Sequence, residues 1–126
     1  MGLDTYYTAI IGFEIKNDNR KLIYEDLAKK NIYMKDDEEG MLINYINGIP
    51  VDTEKYKNLY YFVGFESDGP SKLFICIGQA TELNDLNDTY VYKMPSSEDL
   101  ISANQFITDL KLKECVVNMM VTINTL

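Results

Sequence analysis

The sequence predicts a single α+β domain over residues 1–126, a largely antiparallel sheet of about five to six strands with two helices packed on one face. Three observations predict it. Residues 5–16 and 115–123 alternate between apolar and mixed side chains with a period of two, as strands do. Residues 59–66 and 72–79 flank Ser-Asp-Gly-Pro-Ser, a strong turn signal, and read as a hairpin. Two stretches, after Asn19 and after Ser96, place apolar residues at helical spacing behind a capping side chain. With 126 residues, 46% of them hydrophobic, the chain can bury a core without a metal or disulfide staple.

The first strand sets Tyr7, Ala9, Ile11, Phe13 and Ile15 on one face and Tyr6, Thr8, Ile10, Gly12 and Glu14 on the other. Asn17-Asp18-Asn19 makes the turn that follows, and Asn19 is placed to cap a helix through about Lys30 with Leu22, Ile23 and Leu27 as its buried stripe. Residues 34–40 read as a solvated acidic loop. Residues 41–51 read as a strand, an Asn47-Gly48 turn and a short return limited by Pro50. After the hairpin, residues 82–88 read as a second loop leading to a short strand at 89–94. Ser96 and Asp99 have the spacing of a capping box, with Asp in place of the usual Glu or Gln. They open a helix through about Leu110 whose buried stripe is Leu100, Ala103, Ile107 and Leu110. The last strand sets Cys115, Val117, Met119, Val121 and Ile123 against Val116, Asn118, Met120 and Thr122. The predicted order is β-α-β-β-β-β-α-β.

Tyr-Tyr, an apolar run and Gly-Phe-Glu occur twice, at residues 6–14 and 60–66. The copies differ by two residues within the strand, one full pleat period, so each matched side chain keeps its face. Two interior strands of one sheet meeting the same packing demand account for the repeat.

One face of this sheet is almost wholly apolar, and two amphipathic helices suffice to cover it. The other carries Tyr6, Thr8, Tyr60, Phe62, Phe74 and Met120 with several glycines. Aromatic and Met side chains in place of Lys and Glu mark a surface for a partner or for a second copy of the chain. The alternative is that the long loops near 31–40 and 80–88 fold over it. The densest charge cluster, Asp36-Asp37-Glu38-Glu39, is a second candidate partner-binding segment, able to imitate phosphates in a basic channel; a solvated loop tip is the plainer reading.

Composition narrows the chemistry. The chain has no His and no Trp, one arginine (Arg20), two cysteines and a net charge of −8. Without His there is no Ser-His or Cys-His nucleophile pair and no imidazole-bound zinc. A lone arginine and the negative charge disfavour direct binding of nucleic acid. Glu14-Ile15-Lys16 matches the Glu-x-Lys element of metal-dependent nucleases, but its partner acid would have to be Asp4, on or just before the same strand, or Asp26 on the following helix, and neither placement suits a shared metal. Gly78-Gln79-Ala80-Thr81 would cradle an anion only if it opened a helix. The expectation is therefore a non-enzyme with no cofactor.

A short, acidic chain rich in Asn, Lys, Ile and Tyr, opening on MGLDTYYTAIIGFEI, resembles the small accessory and anti-defence proteins of bacteriophages. The resemblance covers composition along the whole chain and one strand. It implies a protein that binds and inhibits a host protein stoichiometrically, as anti-CRISPR and other anti-defence inhibitors do, with a basic or nucleic-acid-handling surface as its target. A nucleotide or second-messenger sequestering protein is the second expectation. No apolar run reaches the ~20 residues that span a bilayer, and no targeting segment is evident, so the host cytoplasm is the expected compartment with both cysteines reduced.

Overall fold

The computed structural model describes residues 5–32, 49–52, 54–64, 72–83 and 94–125. The elements are β1 (Thr5–Ile15), α1 (Asn17–Ala28), β2 (Ile49–Pro50), β3 (Leu59–Gly64), β4 (Lys72–Ile77), β5 (Thr81–Leu83), α2 (Ser97–Asp109) and β6 (Asn118–Thr125). The fold is α+β with one antiparallel sheet, as the alternation predicts. The acidic segment 36–39, the strand and turn at 41–48, the hairpin turn and the expected strand residues 89–93 lie outside the described residues.

β1 is the strand on which the sheet is built. Along one edge it pairs with β6 over its first eight residues, from Thr5–Thr125 to Gly12–Asn118. Along the other it pairs with β5 through Tyr7–Ala9 and with β4 through Gly12–Ile15. β3 pairs with β4 as the expected hairpin, and β2 pairs with β3. β4 and β5 thus act as one strand broken by a bulge. Between the Ala9–Thr81 and Gly12–Cys76 pairs lie two residues of β1 but four of its partner, Ile77–Ala80. β5 takes Glu82 and Leu83 out of the predicted loop. Their short polar sequence has no strand period of its own, and the long β1 beside them supplies the pairing.

Pleat alternation divides the core into two. Phe13, Ile15, Leu59, Tyr61, Val63, Leu73, Ile75 and Ile77 face the helices, where they meet Ile23 and Leu27 of α1 and Ala103 and Phe106 of α2. On the opposite face Ile10, Phe62, Phe74 and Cys76 form a second buried cluster, with Tyr60 and Met120 packed at its margin.

The helices depart from expectation at their ends. α1 starts three residues early, directly after Lys16, whose carbonyl accepts from the Asn19 and Arg20 N–H groups at 2.8 and 3.0 Å. Asn19 is therefore inside the first turn and not its cap. Its buried amide reaches across the fold instead: Nδ2 donates to the Lys113 carbonyl at 2.8 Å, and Oδ1 accepts from the Lys113 N–H at 3.0 Å. The α2 capping box forms as predicted, Ser96 Oγ accepting from the Asp99 N–H at 3.1 Å and Asp99 Oδ2 from the Ser96 N–H at 3.4 Å. The α2 stripe is rolled from its expected position. Phe106 is fully buried edge-on against Tyr56, with ring centroids 5.3 Å apart, while Leu100 is exposed. β6 begins at Asn118, and Met119, expected toward the core, is 59% exposed. No described helix is long and apolar enough to cross a membrane.

Candidate functional site

The face expected to meet a partner is closed by the curl of the sheet. Phe74 and Thr122 are fully buried, and Thr8 and Phe62 nearly so. The two glycines of the repeated motif explain how. A Cβ on Gly12 would overlap the Ile75 carbonyl, so only a glycine lets the β4 backbone come this close to β1. A Cβ on Gly64 would lie 3.0 Å from Thr122 Cβ, so β3 approaches β6 across the concave side although two strands separate them in the sheet. Thr122 Oγ1 donates to the Thr8 carbonyl at 3.4 Å, which gives the fully buried Thr122 hydroxyl a partner.

Of the predicted partner-binding residues, Thr8, Phe62 and Phe74 are thus interior, a correction to the open face. Tyr60 and Met120 are half-buried at its rim. Tyr6 lies on β1 with its backbone paired to Asn124. Asp36, Asp37, Glu38 and Glu39 lie outside the described residues.

The curled face reaches solvent at the β4–β5 bulge. Gly78 takes φ +80° there, its N–H donating to the Asn58 carbonyl at 2.7 Å, and Gln79 and Ala80 stand exposed beyond it. The segment expected to cradle an anion leads into β5, not a helix. A cleft of about 320 Å³ opens between Tyr60, Phe62, Cys76 and this bulge. It shares Tyr60 and Gly78–Ala80 with a second cleft of about 430 Å³ whose far wall is Met94, Pro95 and Asp99. Among the described residues neither cleft is lined by Lys or Arg.

The start of α2 is fastened to the start of β3, which fixes the groove between them. Asn58 Nδ2 donates to Asp99 Oδ1 at 3.1 Å, the Lys57 N–H to Ser102 Oγ at 3.2 Å, and Lys57 pairs with Glu98 at 3.3 Å. Met94 at the groove wall is 72% exposed, and Ile101 on α2 is 66% exposed. Sequence reasoning missed both. Their signal was present: Ile101 follows Leu100 on α2 off the buried stripe, and Met94 directly precedes Pro95.

The remaining polar groups serve the fold. The only arginine, Arg20, is buried with Nε donating to the Ile15 carbonyl at 3.3 Å. Glu14 of the Glu-x-Lys element pairs with Lys72 at 3.7 Å. Asp26 pairs with Lys30 at 3.7 Å and accepts from the Tyr61 hydroxyl at 3.4 Å. Tyr56 donates to Asp109 at 2.6 Å. Burial first and then these carboxylates hold both phenols above their ordinary range, while the Tyr56 and Gln105 hydrogen bonds hold Asp109 below its own. Among the described residues no three His, Cys, Asp or Glu side chains are grouped to hold a metal ion. Cys76 and Cys115 are free thiols on opposite faces of the sheet. No family model, curated protein or solved structure matches the chain.

Proposed function

We propose that the chain is a stoichiometric protein ligand, not an enzyme, and that it acts by covering a basic or nucleic-acid-handling surface of a host protein. The observation that carries this reading is the patch at the start of α2. Met94 and Ile101 are large apolar side chains left in water on either side of Glu98 and Asp99 in the sequence, and Met94 and Asp99 line a groove that no described Lys or Arg enters. Apolar anchors ringed by acids suit a partner surface with an apolar centre and a basic rim. The charge of −8 steers the chain toward such a surface and away from nucleic acid itself. The compositional resemblance to phage accessory proteins supplies the class of partner, a host defence component, with an anti-CRISPR or related anti-defence role.

The test is affinity capture from bacterial lysate with immobilised chain, in parallel with Ile101→Lys. The expected result is a partner held by the wild type, weakened as salt rises and lost with the variant. A partner that binds both chains equally moves the interface elsewhere, and turnover of a small substrate by the isolated chain overturns the reading.

One observation favours a second reading. Tyr60 and Gly78 offer a flat wall and close backbone approach to a small aromatic ligand. Among the described residues no cation lines the cleft to match the phosphates of a nucleotide or second messenger. A thermal-shift panel decides it, since a ligand at 100 times its Kd stabilises by about 2.7 kcal/mol.

A further inference from the structure

β6 forms one border of the sheet, pairing among the described strands with β1 alone. Edge strands are ordinarily protected by charge, proline, a bulge or brevity. β6 has none of these. Its eight residues, NMMVTINT, carry no charge and no proline, and its register with β1 runs unbroken from Thr125 to Asn118.

Its sequence is also nearly symmetric about one residue. Reading outward from Val121, Met120 answers Thr122, Met119 answers Ile123 and Asn118 answers Asn124. An antiparallel pair of identical strands related by a two-fold axis at Val121 would set these very residues opposite one another. Val121 would meet itself, and each Met119 would meet the other copy's Ile123, giving three apolar cross-strand pairs on one face.

Backbone direction agrees with that register. The Thr122 hydroxyl reaches the Thr8 carbonyl, which therefore points toward β6. In an antiparallel ladder the even-numbered residues of β6 then turn their N–H and C=O groups to β1, and Met119, Val121 and Ile123 turn theirs outward. The outward residues are the ones that the two-fold pairing brings into hydrogen-bonded register. Met119, 59% exposed, and the half-buried Val121 and Ile123 project on the face opposite the Ile10, Phe62 and Phe74 cluster.

Charge selects the occupant. Two copies of a chain with net charge −8 repel over most of their surfaces, yet this border opposes no like charges. We infer that β6 is a self-pairing edge through which two copies of the chain join into one continuous sheet, with the two-fold axis at Val121. This surface is separate from the α2 patch and leaves it free in both copies.

The experiment is sedimentation equilibrium of the full chain and of Met119→Lys, with circular dichroism as the check on folding. Met119 is exposed in the single chain, so the lysine is tolerated there and opposes only the association. The expected result is a wild-type dimer and a folded monomeric variant. Register is tested by thiol cross-linking in a Cys115→Ser background. Val121→Cys should link to its own copy across the axis, whereas Met119→Cys, four residues from its counterpart along the strand, should not. A monomeric wild type at high protein concentration, a dimer that survives Met119→Lys, or cross-linking of Met119→Cys as efficient as that of Val121→Cys overturns the proposal.

Discussion

Phe62 shows at a single position how the inner face differs from an interface. In an open sheet its ring would be available to a partner, and a lysine there would sit in water. Here it is 9% exposed among Ile10, Phe74 and Cys76. Phe62→Lys would place an unpaired charge in that cluster, so loss of the fold is expected, visible as collapse of the cooperative urea transition. Phe74→Ala should cost about 3–5 kcal/mol, the usual penalty for emptying a buried aromatic site. The thiols report the same burial chemically. Cys76 is pushed up to about 11 by desolvation, and Cys115, also raised by burial, is opposed by the charge of Lys16. Alkylation of the native chain at pH 8, followed by mass spectrometry, should modify Cys115 first and Cys76 only as fast as the chain unfolds.

Among the elements, α1 and α2 are secured by different means. Asn19 joins the first turn of α1 to Lys113, 94 residues away, through one accepted and one donated hydrogen bond. Asn19→Ala leaves the Lys113 groups without those partners and should cost about 1–3 kcal/mol in urea denaturation. Asn19→Asp keeps the acceptor and loses the donor, and should fall between. Ser96→Ala removes only a helix cap at the surface and should cost about 1 kcal/mol. Finding the larger loss at Ser96 would mean that long-range tethering contributes less than local capping.

The whole molecule's stability should depend on pH through the tyrosine–aspartate pairs. Tyr56 and Tyr61 are held above their ordinary value of 10.0, first by burial and then by the neighbouring acids. Their contribution is full below pH 10, where both states keep the proton. It is lost as pH rises further, because the unfolded phenols ionise first. Asp109 acts in the opposite direction. Its carboxylate is favoured by the bond from Tyr56, so its contribution is present at neutral pH and lost on acidification below 3.8 as the pH falls through its lowered folded value. Urea midpoints should therefore fall above pH 10, and Tyr61→Phe should remove part of that alkaline loss. An unchanged slope in the variant would detach Tyr61 from the effect.

Local information alone determined the alternation of β1, β3 and β4, the Ser96 capping box and the division of side chains between two faces. A pleat period and a helix cap are settled by residues within a few positions of one another, so they can be read directly from the chain. The assignment of Tyr60 and Phe62 to the face opposite the helices was equally legible. Only the tertiary structure decided that this face is concave and filled. The close approach of Gly12 to Ile75, the bulge at Gly78–Ala80 and the approach of Gly64 to Thr122 each depend on strands far apart in sequence. A glycine reads alike whether it makes room for a ligand, a partner or its own sheet. For the same reason Met94, Ile101 and Met119 became visible as surface only once the packing around them was set: hydrophobicity is a property of the residue, but exposure belongs to its neighbours.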